Sequence, residues 1–114
     1  MHELSIALSI IEVAEEEIIR LGASQVISIH LRIGALSGVG KQSLASAFEL
    51  ASENTPCAKS RLVFEDSPVL AYCPACEQPR PVASIQQFKC SICEAPMADV
   101  IQGRELQVTA MEVE

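Results

Sequence analysis

Apolar residues recur at three- and four-residue steps near the start of the chain: Leu4, Ala7, Leu8, Ile11, Ala14, Ile18 and Leu21. Ser5, Ser9, Glu12, Glu16 and Arg20 form the opposite face, and Glu16 stands four residues before Arg20. That period predicts an amphipathic helix over residues 4–21, ended by Gly22. The period then shortens. Ile27, Ile29, Leu31 and Ile33 alternate with Val26, Ser28, His30 and Arg32, which predicts a half-buried strand ending at Gly34. Ser37-Gly38-Val39-Gly40 reads as a turn, and Leu44, Ala47, Phe48 and Ala51 give a second helical stripe.

A second strand is expected over Arg61 to Asp66, with Leu62 and Phe64 inward, and a third over Glu105 to Val113, with Leu106, Val108 and Ala110 on one face. Between Pro68 and Ile101 neither period lasts, and Pro74, Pro79, Pro81 and Pro96 fall there. A segment of about 30 residues with this pattern cannot bury its own core and needs a staple. The expected architecture is α+β: two helices packed on a three-stranded sheet, with an inserted module that the cysteine pairs Cys73/Cys76 and Cys90/Cys93 mark as zinc-ribbon-like. Its domains are residues 1–67 with 102–114, and the insertion 68–101.

Composition narrows the function. The 114 residues are 49% apolar but 4% aromatic, so one real core is possible and it must be aliphatic. No apolar run reaches the ~18–20 residues of a membrane span. Met1-His2-Glu3 opens directly into the helical pattern without a basic leader, so a soluble, cytoplasmic protein is expected. The net charge is −7 and the basic residues are scattered from Arg20 to Arg104, which disfavours a nucleic-acid partner.

The staple is legible in the cysteines. Cys73-Pro74-Ala75-Cys76 and Cys90-Ser91-Ile92-Cys93 are two C-x-x-C pairs separated by 13 residues. Each pair can turn two thiolates toward one ion, and two pairs complete a tetrahedron suited to Zn²⁺, with no position left open for catalysis. An iron–sulfur cluster also takes four cysteines, and a redox pair uses one C-x-x-C. Cys57 has no partner in sequence and reads as a packed filler or a free thiol.

The first three residues carry a second chemistry. A free α-amine, deprotonated amide nitrogens and the His2 imidazole form fused chelate rings of the near-planar, all-nitrogen kind that Ni²⁺ or Cu²⁺ prefers. A penultimate His is more often an accident, and Glu3 by itself is read as an anion in the first helical turn. His30 reads as a surface or partly packed strand residue. No Ser-His-Asp set, phosphate loop or paired-carboxylate motif points to an enzyme. The rival readings are a zinc-ribbon adaptor with no second metal and a thiol redox enzyme.

Met1-His2-Glu3-Leu4-Ser5, the segment Leu31-Arg32-Ile33-Gly34-Ala35-Leu36-Ser37-Gly38-Val39, the two C-x-x-C pairs and the closing Gly103-Arg104-Glu105-Leu106 resemble the HypA/HybF family of nickel metallochaperones of hydrogenase maturation. The resemblance runs over essentially the whole chain. It implies nickel bound by Met1, His2 and Glu3, and structural zinc held by Cys73, Cys76, Cys90 and Cys93. It further implies delivery of Ni²⁺ to the large subunit of nickel–iron hydrogenase, working with a nickel-handling GTPase. Charge and hydropathy predict no nucleic-acid or membrane partner, and the chain is expected as a monomer or dimer.

Overall fold

The computed structural model describes residues 2–114. Its elements, in chain order, are α1 (His2–Leu21), β1 (Val26–Gly34), α2 (Lys41–Ala51), β2 (Arg61–Ser67), β3 (Leu70–Cys73), β4 (Gln78–Pro81), β5 (Val100–Gln102) and β6 (Leu106–Val113). They fall into two compact units. Met1–Leu31, Val39–Glu65 and Gln107–Glu114 form one, and Arg32–Gly38 with Asp66–Leu106 form the other. The end of β1 and the turn after it, residues 32–38, therefore pack with the inserted segment. None of the described helices is long and apolar enough to cross a membrane.

In the first unit α1 starts two residues earlier than its apolar period suggests. It ends where Ala23 N–H donates to Ile18 O at 3.0 Å and Gly22 N–H to Ile19 O at 3.4 Å, with Gly22 at φ +66. This doubled closure satisfies carbonyls that a helix end leaves open, and its left-handed residue is a glycine. The buried side chains are Ala7, Ile10, Ile11, Ala14 and Ile18. Leu4, Leu8 and Leu21 belong to the predicted stripe yet are 42%, 52% and 52% exposed, so the covered face is narrower than the apolar one.

The sheet order is β2-β1-β6. Ser24 and Gln25 N–H donate to Glu114 O, and Gly34 N–H donates to Glu105 O, so β6 runs antiparallel to β1. Ser60 Oγ donates to Val26 O at 2.7 Å beside the start of β1. Ser67, at the end of β2, bonds Glu105, whose carbonyl receives Gly34 at the end of β1. The two strands therefore run the same way, with α2 as the crossover.

Being central, β1 is buried more completely than a half-buried strand. Val26 and Ser28 are as hidden as Ile29 and Leu31, and Ser28 Oγ donates to Glu112 Oε1 at 2.7 Å. On β6 the burial changes phase: Leu106 and Val108 are half-buried, Ala110 is exposed, and Met111 and Val113 are half-buried again.

The second unit contains a sheet that period alone does not predict, in the order β4-β3-β5. Both pairings are antiparallel, with Ala71 opposite Arg80 and Cys73 opposite Gln78. These strands have only three or four residues, and a strand bearing Pro79 and Pro81 suits an edge position, where missing donors cost little.

Candidate metal centre

The first C-x-x-C pair grows out of β3. Cys73 is the last residue of that strand, and Cys76 N–H folds back to Cys73 Sγ at 3.3 Å. Glu77, at φ +56, then swings the chain into β4. The second pair repeats the device. Ile92 and Cys93 N–H point at Cys90 Sγ at 3.4 and 3.5 Å, and Glu94 turns the chain at φ +63. Ser91 N–H donates to Pro81 O and Cys90 N–H to Ala95 O, which ties this knuckle to the end of β4. Two knuckles built alike thus present their sulfurs to the same point.

The sulfur separations across the knuckles are 3.5 Å for Cys73 to Cys93, 3.7 Å for Cys76 to Cys93 and 4.0 Å for Cys76 to Cys90. All four sulfurs lie within 4.8 Å of one another. A tetrahedron with metal–sulfur bonds of about 2.3 Å has edges of about 3.8 Å, so the quartet has the dimensions of a four-thiolate zinc site. All four cysteines are free thiols, and Cys73 and Cys90 are fully buried beside Ala71 and Met97.

Charge argues the same way. N–H groups of Cys93 and Ile92 pull the Cys90 thiol down to about 6. Ala95 N–H acts similarly on Cys93, but the surrounding sulfurs prevail and push that thiol up to about 12. Four sulfurs this close cannot all ionise without a cation among them. With zinc present they would, and the ion would serve to hold the knuckles together. These dimensions and this chemistry support a structural zinc site.

Arg80 was not singled out by any sequence signal. Its side chain extends toward this cluster, where a hydrogen bond to Cys76 and the charges of Cys76, Cys90 and Cys73 keep the guanidinium more firmly protonated than usual.

The other candidate site lies at the start of α1. Met1 falls outside the described residues. His2 is exposed at 62% of its side chain, and its Nε2 lies 3.6 Å from Glu3 Oε2. The Glu3 carboxylate is held below its usual range by its own backbone N–H, then by the N–H of Gly40, which precedes α2, and by the His2 charge. Glu3 thus stands in the first turn of α1 with its carboxylate next to His2.

The remaining candidates are structural. His30 is half-buried on β1, and its carbonyl accepts from Thr109 Oγ1 at 3.4 Å. Cys57 is fully buried, and burial, followed by the charge of Glu15, pushes its thiol up, which suits a packed filler.

Comparison with known proteins agrees with this layout. A family model described as hydrogenase/urease nickel incorporation, metallochaperone, HypA matches residues 1–113. The chain is 38% identical to the hydrogenase maturation factor HypA of Chloroflexus aurantiacus over 112 residues, covering 98% of each. It is 38% identical to that of a Roseiflexus species over 114 residues, covering all of this chain and 93% of the relative. Two solution structures share the fold. One, of a HypA protein, has a TM-score of 0.75 at 26% identity and covers 100% of this chain and 97% of its own. The other, of the Ni metallochaperone HypA from Helicobacter pylori, has a TM-score of 0.68 at 26% identity and covers 99% and 97%. The chain belongs to the HypA family of metallochaperones for nickel incorporation into hydrogenase and urease.

Proposed function

We propose that this chain binds Ni²⁺ through the amine of Met1, the imidazole of His2 and Glu3, and passes it to the large subunit of nickel–iron hydrogenase. Residues 1–67 and 102–114 form the nickel-binding domain in this reading. Residues 68–101 form a zinc domain in which Cys73, Cys76, Cys90 and Cys93 are the ligands. The observation that carries the nickel assignment is the exposed His2 beside Glu3 at the beginning of a helix. The first N–H groups of a helix have no intrahelical acceptor. The amides a planar chelate must deprotonate are thus the ones that cost no helical hydrogen bonds.

A site of few ligands at an exposed helix start suits transfer by ligand exchange. Incoming donors of a recipient replace the imidazole and amine one at a time, and the ion never enters bulk water. A nickel-handling GTPase fits as the partner that times this exchange. The closed zinc site has no open position and serves to shape the module that meets partners.

Nickel titration of the zinc-loaded protein tests the reading, using the native N-terminus, His2→Ala and a form extended by two residues ahead of Met1. Stoichiometric binding by the native protein and loss in both variants is the expected result. Equal binding by all three forms overturns it.

A further inference from the structure

The geometry points to Arg80 as a positioning residue of the cysteine site, a fixed cation that offsets the negative charge of the thiolates and holds the structural metal against exchange. The assignment rests on the four-cysteine zinc reading and extends it to a residue that is not a ligand.

Register places the side chain. In the antiparallel pairing of β3 with β4, Arg80 stands opposite Ala71, and Gln78 stands opposite Cys73. Directly opposed residues share a face, and positions two apart on a strand share it as well. Arg80 therefore projects to the side occupied by Ala71 and Cys73, both fully buried in the cluster with Cys90 and Met97. Its Nε is buried and has no hydrogen-bond partner among the described residues. The residue as a whole is half-buried, and a buried nitrogen left without a partner is costly.

Among the described residues the charges that act on Arg80 are those of the cysteines. Cys76 acts on this guanidinium most strongly, and Cys90 and Cys73 contribute too. Four thiolates around one divalent ion leave an excess of negative charge, and a low-dielectric surround makes that excess expensive. One guanidinium removes part of it. Cys76, the sulfur this charge acts on most strongly, is half-buried, whereas Cys73 and Cys90 are buried and Cys93 is exposed.

The placement bears on how one chain handles two metals. A metallochaperone must surrender its cargo and keep its structural ion. Soft thiolates with uncompensated charge would exchange zinc readily and also compete for nickel. Groups that support metal ligands from outside the coordination sphere change affinity ~10–100-fold when removed.

The test compares the native protein with Arg80→Met, which keeps the apolar stem, and Arg80→Lys, which keeps the charge. Cobalt is first substituted for zinc, and a tetrahedral four-thiolate absorption spectrum in the native protein establishes the site. Its absence removes the zinc reading and this assignment together. Zinc affinity by chelator competition, and the rate of zinc release to the chelator, are then measured for all three. The expected result for Arg80→Met is affinity lower by ~10-fold or more, faster release, and a displaced sulfur-to-cobalt charge-transfer band, with Arg80→Lys recovering most of the affinity. Equal affinity and equal spectra in native and Arg80→Met proteins overturn the assignment. So does an equal loss in Arg80→Lys and Arg80→Met, which would make shape the requirement and not charge.

Discussion

The Ser67 hydroxyl donates to the Glu105 carboxylate at 2.8 Å, linking the last residue of β2 to the residue just before β6. Gly103 N–H reaches the same carboxylate at 2.5 Å. Ser67, then the Gly103 and Glu105 N–H groups, hold this acid below its usual range. A depressed folded-state pKa contributes stability that is fully present above the unfolded value of about 4.3 and lost as pH falls through the folded value. Glu105→Gln should therefore lower Tm at neutral pH. The difference from the native protein should shrink below about pH 4. Paired thermal melts across pH check it, since metal loss in acid is common to both proteins and cancels in the difference. A pH-independent difference would rule out the charge as its source.

Gly34 is required by a close approach. A Cβ built there would lie 2.0 Å from Gly103 O and 2.9 Å from Arg104 N, both backbone atoms that cannot swing aside. Gly34 N–H is also bonded to Glu105 O, and Leu36 N–H to Gly103 O, so the two segments cannot separate without breaking these bonds. Gly34→Ala should destabilise the protein by about 3 kcal/mol or more, the range of severe overpacking. Urea unfolding of the zinc-loaded protein measures it, and a change under about 1 kcal/mol would show that the backbone relaxes freely.

What the sequence revealed and what it concealed have separate physical causes. The cysteine quartet was legible because C-x-x-C spacing alone brings two sulfurs together, whatever surrounds it. The long period of α1 predicted its helix, but a period marks an apolar face without saying how much of it is covered. Leu8 is therefore exposed, while Ile10, outside the predicted stripe, is 6% exposed. The small sheet of β3, β4 and β5 was illegible because strands of three or four residues show no sustained alternation, and Pro79 and Pro81 argue against a strand away from an edge. Arg80 was hidden for a related reason: only the register opposite Ala71 tells which way it points.

The zinc knuckles should behave as one cooperative unit. Each supplies two sulfurs to the same cluster, and the short sheet around them has little other core than Ala71, Cys73, Cys90 and Met97. Cys73→Ser or Cys90→Ser should reduce bound zinc to near zero and remove amide protection through residues 68–101, with α1 remaining helical. Metal analysis with hydrogen exchange reads both effects. Full zinc content in either variant would remove that cysteine from the ligand set.

Glu77 and Glu94 occupy matching places, each immediately after the second cysteine of its knuckle and each at positive φ. A side chain in the left-handed region costs about 1 kcal/mol, and glycine avoids that cost. Glu94 is also paired with Lys89, so its replacement mixes two effects. Glu77, on an exposed turn, offers the cleaner comparison. Glu77→Gly should relieve the strain in the folded knuckle, against the greater freedom glycine gives the unfolded chain. Because metal binding and folding of the module are coupled, the gain should appear as tighter zinc binding, by about threefold for a net 0.6 kcal/mol. Chelator competition on Glu77→Gly and Glu77→Ala separates the causes. Alanine keeps the Cβ and removes the charge, so it should bind no tighter than the native protein. An equal gain in both variants would trace the effect to a carboxylate beside the thiolates and not to the backbone.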